Sequence, residues 1–372
     1  MRIGVPKEIK NHEYRVGMTP AAVREAIHHG HEVLIESTAG AGIGCGDEDY
    51  TAAGAEIAAD AAEVFAGAEM IVKVKEPQPE ECAMLRPQHT LFTYLHLAPD
   101  PRQAELLQES GCLAIAYETV TDDHGGLPLL APMSEVAGRM ATQVGAVSLQ
   151  KAQGGLGKLL GGVPGTPPAR VAIIGGGVVG TNAAQMALGM GADVSILDKS
   201  LPRLRQLADI FGASLKTRYA TIDATEELIL SADLIIGAVL VPGAAAPKLV
   251  RREHLSEMRD GTVLVDVAID QGGCFETSKP TTHADPTFVV DGVVHYCVAN
   301  MPGAVPRTSA LALNNATLPF ILALAEKGWR GACAADANLL AGINMHAGRI
   351  VHPAVAEALN SDFTAAGDLL AA

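Results

Sequence analysis

The chain has 372 residues, 48% of them hydrophobic and 19% charged, which suits two globular domains with apolar cores. Its net charge of −15 comes without a Lys/Arg-rich stripe, so neither nucleic acid nor an anionic membrane is expected as a partner. Six scattered cysteines with no C-x-x-C pair suggest no metal site and no disulfide framework, and read as the reduced thiols of a cytoplasmic protein.

The opening MRIGVPKEIK lacks the apolar core of a signal peptide. Residues 2–5 predict a strand. Thr19-Pro20 marks a helix start that runs to His29 and closes at Gly30. Further strands are expected at 31–36, 70–74, 90–95 and 112–117, with helices at 50–66 (interrupted at Gly54), 80–85 and 101–108. Strands alternating with helices predict a parallel, doubly wound sheet. Pro132-Met133-Ser134-Glu135 predicts a helix over 135–153 with Ser134 as N-cap, followed by a Gly/Pro-rich loop at 154–168.

Residues 170–198 read RVAIIGGGVVGTNAAQMALGMGADVSILD and organise the rest. An apolar strand runs into Gly175-Gly176-Gly177-Val178-Val179-Gly180, which fits G-x-G-x-x-G with Gly175, Gly177 and Gly180. A helix over 181–190 follows, then a strand ending on Asp198. This is the order a dinucleotide site needs. Gly175 permits the turn, Gly177 lets backbone approach a pyrophosphate, and Gly180 lets the helix pack against the sheet. Asp198 stands 18 residues beyond Gly180, where a carboxylate accepts from ribose hydroxyls and repels a 2′-phosphate. NAD is therefore the expected cofactor.

Later strands are expected at 215–219, 234–239, 262–267, 288–290 and 293–298. The apolar stretch 234–247, broken by Gly237, Pro242 and Gly243, reads as strand and turn, too short to span a membrane. Helices at 309–325 and 338–350 should return to the first domain. The expected fold is α/β, with two doubly wound Rossmann-like domains and an active-site cleft between them. A discontinuous substrate domain, 1–128 plus 308–372, would flank an NAD-binding domain at 129–307.

Ligands in open α/β sheets bind beyond the carboxyl ends of the strands. That rule selects Arg15 after the first strand, Lys75 in VKVKEP, His96 in FTYLHLA, and Asp270 in TVLVDVAID. Lys73 and Lys75, two apart, are expected on one side of the pleat. Each residue has a plainer alternative. Arg15 could be a surface loop residue, Lys75 solvated, His96 a satisfied core histidine and Asp270 a turn cap, with Asp266 a competitor for its role.

MRIGVPKEIKNHEYRVGMTP, VKVKEP, LFTYLHLA and the fingerprint segment together resemble bacterial L-alanine dehydrogenase, over residues 1–353. A similar N-terminal segment occurs in the NAD-binding component of proton-translocating transhydrogenase, but there the glycine turn usually reads G-x-G-V-A-G-L-Q-A. The resemblance implies NAD-dependent, reversible deamination of L-alanine to pyruvate and ammonium. It implies that Arg15 and Lys75 bind substrate, that His96 is the general acid/base, and that Asp270 is the second catalytic group. It further implies cofactor contacts from Ser134, Gly177, Val178, Val179, Asp198, Arg203, Val239, Leu240, Val267, Ala268, Ile269, Asp270, Lys279, Val298, Ala299, Asn300 and Met301. The family often has Ser where this chain has Ala220, and it is typically a homohexamer. A transhydrogenase component and a non-catalytic NAD-binding redox sensor are the competing readings.

Overall fold

A computed structural model describes residues 1–239 and 247–371. The chain divides into two compact units, Met1–Met133 with Val305–Ala372, and Ser134–Ala304.

The first unit is built on an eight-stranded sheet. Its strands are β1 (Arg2–Val5), β2 (Glu32–Glu36), β3 (Glu56–Ala58), β4 (Met70–Val72), β5 (Thr90–Thr93) and β6 (Leu113–Ala116). Late in the chain β14 (Ile343–His346) and β15 (Arg349–Ile350) join it. The order is β15-β14-β6-β5-β4-β1-β2-β3. The pairs from β3 through β6 are parallel, and β14 and β15 add antiparallel. Alternation along the strands fills two cores. Met70, Val72 and Phe92 pack on one face with Val23 of the helix Pro20–His28, and with Leu313 and Ile321. Ile71 and Leu91 pack on the other with Val64, Phe65 and Leu107. The helix Pro306–Ala335, whose helical backbone breaks at Gly328, is long and apolar enough to cross a bilayer. Its residues Leu313, Ile321 and Leu324 lie in the core of this unit, as in a core helix.

Two expectations change here. The helix expected at 50–66 is a helix Asp47–Ala52, then β3, then a helix Ala61–Gly67. Gly54, at φ +99°, turns the chain so that Glu56, Ile57 and Ala58 pair with β2. The helix expected at 338–350 stops at Leu340 and gives way to the β14–β15 hairpin.

The second unit carries β7 (Arg170–Ile174), β8 (Asp193–Asp198), β9 (Leu215–Tyr219), β10 (Leu234–Gly237), β11 (Val263–Asp266), β12 (Thr287–Val290) and β13 (Val293–Tyr296). Their order is β12-β13-β11-β10-β7-β8-β9, parallel except for β12 on β13. The chain starts mid-sheet at β7, winds to β9, then returns to β10 on the other side of β7. The first unit does the same around β1 and β4. Each sheet therefore has a topological switch point, where crossover loops diverge and leave a crevice at the strand ends.

The hairpin joining β14 to β15 turns through Ala347 and Gly348, at φ +48° and +74°, between the paired residues His346 and Arg349. Two left-handed residues make a type I′ turn, in which alanine is strained. Ala347→Gly is expected to stabilise the fold by about 0.5–1 kcal/mol. Chemical denaturation of the two proteins compares them directly.

Candidate active site

The switch point of the first sheet gathers charge. Beyond β1 come Glu8, Glu13 and Arg15, and beyond β4 come Lys73, Lys75 and Glu81, all buried. Three carboxylates stand with three cations. Glu13 holds the Arg15 guanidinium in a two-point grip, taking Nε at 2.7 Å and Nη2 at 2.5 Å. The third edge of that fork lies against Met133, with Nη1 2.9 Å from Sδ.

The alternation argument for Lys73 and Lys75 ends with the strand, because β4 stops at Val72. Lys73 is fully buried and donates to Glu81 at 2.6 Å and Glu8 at 3.1 Å. The other Glu8 oxygen accepts the backbone N–H of Val74 at 2.6 Å and of Lys75 at 3.4 Å. Lys75 emerges from this anchor 9% exposed. Burial pushes the Glu8 carboxyl up, against the pull of Lys73. Burial pushes the Lys73 ammonium down, but Glu8 and Glu81 outweigh it and keep it protonated.

His96 follows β5 with its backbone in the left-handed region, at φ +51°. Its ring is 40% exposed and lies nearly parallel to Tyr94, 5.8 Å away at 6°. Tyr94 is buried, and its hydroxyl donates to the Leu129 carbonyl. Glu118, beyond β6, accepts the backbone N–H of His96 at 2.6 Å and lies 3.9 Å from Nδ1. Arg15, Lys75 and His96 thus all lie at the carboxyl end of this sheet. Glu8, Glu13, Tyr94 and Glu118 escaped the sequence reading; for Glu8 and Glu118 no residue spacing marks a carboxylate that works through backbone N–H groups.

In the second unit the glycine turn has the geometry that a pyrophosphate needs. Gly175 turns at φ +105° directly after β7. A Cβ on Gly180 would lie 1.9 Å from the Gly175 carbonyl, so the helix Val178–Gly189 packs as close as glycine allows. Around the position of a Cβ on Gly177 nothing lies within 4 Å. Open space at a helix N-terminus, where N–H groups lack intrahelical partners, fits the phosphates of a dinucleotide. Asp198 accepts the N–H of Gly176 and of Ser200, each at 2.7 Å. Arg203 braces the same turn, donating to the Gly176 carbonyl and to Thr181, both at 2.6 Å.

Asp266 and Asp270 differ in burial. Asp266 is inaccessible and accepts from the N–H groups of Ala268, Cys274 and Phe275. Asp270 is exposed on the short 3-10 turn Ile269–Gln271. Of the other expected contacts, Ile269, Val298 and Met301 are core residues. Val178, Ala299 and Asp270 are exposed, and Val179, Val239, Val267, Ala268 and Asn300 are half-buried. Lys279 is seated over the Phe288 ring at 4.5 Å. Leu240 lies outside the described residues. Ser134 is not an N-cap. The helix begins at Ala131, with Pro132 in the first turn where no N–H is required, and runs to Ser148.

A doubly wound pair of sheets, one with a complete dinucleotide turn and the other with buried cations and an imidazole at its strand ends, defines a dehydrogenase-like architecture. Residues 4–137 match the family domain described as alanine dehydrogenase/PNT, N-terminal domain, and residues 141–353 match the C-terminal domain. The chain belongs to the alanine dehydrogenase/PNT family. It is 62% identical to the alanine dehydrogenase of Halomonas elongata and 53% identical to that of Mycolicibacterium smegmatis, over 100% of both chains in each case. A solved L-alanine dehydrogenase superposes with a TM-score of 0.94 at 51% identity, covering 97% of this chain and 99% of that one. A transhydrogenase from Sinorhizobium meliloti superposes at 0.81 with 25% identity, covering 95% and 100%. Family and fold together imply a nicotinamide cofactor.

Lys73→Met is expected to leave Glu8 and Glu81 buried without their cation, at a cost of about 3–5 kcal/mol near neutral pH. The Glu8 carboxyl, its pKa raised by burial, destabilises the fold above its ordinary range, and that penalty fades as pH falls and it buries neutral. Denaturant titrations at neutral and mildly acidic pH should therefore show the variant recovering stability relative to the wild type as pH is lowered.

Proposed function

We propose that the chain is an L-alanine dehydrogenase that reversibly deaminates L-alanine to pyruvate and ammonium, with NAD as its cofactor. The observation that carries this reading is the pairing of a complete dinucleotide turn with Arg15, Lys75 and His96 at the carboxyl end of the other sheet, in a chain 62% identical to an alanine dehydrogenase over its full length.

The first unit serves the substrate. Arg15 and Lys75 hold its carboxylate and its carbonyl oxygen. Lys75 also stabilises negative charge developing on that oxygen. His96 is the general acid/base, because imidazole exchanges protons near neutral pH. Asp270 orients water or ammonia and balances the iminium charge.

The second unit serves NAD. Gly175, Gly177 and Gly180, with the N–H groups at Val178 and Val179, hold the pyrophosphate, and Asp198 takes the ribose hydroxyls. Each Asp198 oxygen already accepts one backbone N–H, which leaves lone-pair capacity for a ribose. Arg203 acts by fixing the turn. Ser134, Val239, Leu240, Val267, Ala268, Ile269, Lys279, Val298, Ala299, Asn300 and Met301 complete the proposed cofactor contacts, the buried ones through their backbone. When bound, NAD would supply the hydride acceptor for the hydrogen on Cα of alanine. Cytoplasmic location follows the reading of the scattered cysteines as reduced thiols, and homohexameric assembly rests on the resemblance alone.

Absorbance at 340 nm tests the activity. NADH oxidation with pyruvate should require ammonium. NADH binding without turnover would favour a sensor or a transhydrogenase component instead. His96→Ala and Asp270→Asn are each expected to abolish turnover while sparing NADH binding, and full activity in either would remove that residue from the mechanism. Asp198→Ala should erode the preference for NAD over NADP, seen as a fall in the ratio of the two kcat/KM values.

A further inference from the structure

We propose that Glu118 is the positioning residue of His96, holding its backbone in a left-handed turn and setting a carboxylate beside its ring. The inference rests on the reading of His96 as the proton carrier.

The cradle is visible in the hydrogen bonds. Glu118 accepts the Leu95 N–H at 3.1 Å and 3.2 Å through its two oxygens, and the His96 N–H at 2.6 Å. A non-glycine residue at φ +51° persists only where its surroundings over-determine it. Two adjacent N–H groups converging on one carboxylate supply that constraint. The same oxygen that takes the His96 N–H stands 3.9 Å from Nδ1, so one group sets both the backbone turn and the charge next to the ring.

Glu118 is itself held. It lies in the 3-10 turn Tyr117–Thr119 after β6. On one side the Tyr117 hydroxyl donates to the Lys73 carbonyl at 3.0 Å. On the other, Asn344 of β14 donates to the Thr119 hydroxyl at 2.7 Å. The turn that carries Glu118 is thereby tied to the strand end that delivers the buried cations, and the Glu118 side chain is 15% exposed.

Other titratable groups face this pair. Tyr94 stacks on the ring, and burial pushes its hydroxyl far above the usual range, so it stays neutral. His352, beyond β15, feels the Glu118 charge, but burial pushes its imidazole down and favours the neutral form. A negative charge beside His96 favours its imidazolium form, which suits a group that must hold a proton between steps.

The test compares Glu118→Gln, Glu118→Ala and His96→Ala in the full-length enzyme. It reads kcat and KM for alanine, the pH profile of kcat/KM, and NADH affinity by fluorescence. Glu118→Gln keeps an acceptor oxygen for the turn and removes the charge. The acid limb of deamination, where His96 has to lose its proton, should move to lower pH by about half a unit in that variant. Glu118→Ala removes the cradle as well, and kcat should fall about 10–100-fold with NADH affinity unchanged. If the alanine variant does not fold, the glutamine variant carries the test by itself. A glutamine variant with the wild-type pH profile, or an alanine variant with kcat within about twofold of wild type, would overturn the proposal. Turnover surviving in His96→Ala would instead show that the reading of His96 had failed, and the role of Glu118 would fall with it.

Discussion

The buried charge at the switch point of the first sheet is the constraint on which the rest of the site depends. Taking an ion out of water costs several kcal/mol, and partners in good geometry recover the cost. Here Glu8, Glu81 and Lys73 recover it together, as do Glu13 and Arg15. The hydrophobic surroundings that make these pairs costly also make them rigid, since a displaced partner would leave a charge unpaired in the core. Glu8 spends its second oxygen on the N–H groups of Val74 and Lys75. The direction in which Lys75 leaves the strand is therefore fixed by an ion pair two residues upstream.

The second unit solves the same problem with dipoles. Asp266 is as inaccessible as Lys73, yet its partners are uncharged donors of the loop that follows, three backbone N–H groups with the Ser278 hydroxyl and the Cys274 thiol. Asp198 is held by Gly176 and Ser200 in the same way. Carboxylates of this kind shape loops. The carboxylate left exposed in the same segment is Asp270. A buried aspartate and an exposed one, four positions apart, look equivalent in sequence and differ only in where the loop's donors point.

The difference marks what a sequence can reveal. The glycine turn was legible because each of its residues answers a local need, and Gly175, Gly177 and Gly180 do so in the structure. Arg15, Lys75 and His96 were legible through the strand-end rule, which needs only strand positions. β3 was not, because its Glu-Ile-Ala has little strand propensity of its own and forms by pairing with β2. The β14–β15 hairpin was hidden the same way, behind an Asn-Met-His run that pairs with β6 across more than two hundred residues. Ser134 was misread because Ser-Glu before an apolar run mimics a cap, while Pro132 had already opened the helix. Glu118 left no trace, since its partners are N–H groups more than twenty residues away that the fold alone brings near, and the Glu13–Arg15 pair, two residues apart, looks in sequence like any local charge pair.

The fold cannot decide the chemistry by itself. An L-alanine dehydrogenase and a transhydrogenase both superpose closely on this chain, and a shared scaffold hosts different reactions according to the groups at its strand ends. What distinguishes a proton-transferring site is a titratable group held where it can exchange with solvent and substrate. On the proposed reading, His96 is that group. It is partly exposed and stands on a strained turn, beside a carboxylate whose own position is fixed by neighbouring elements. The Glu118 carboxylate that takes the His96 N–H thus joins a partly exposed imidazole to the neighbouring strand end, whatever reaction the imidazole serves.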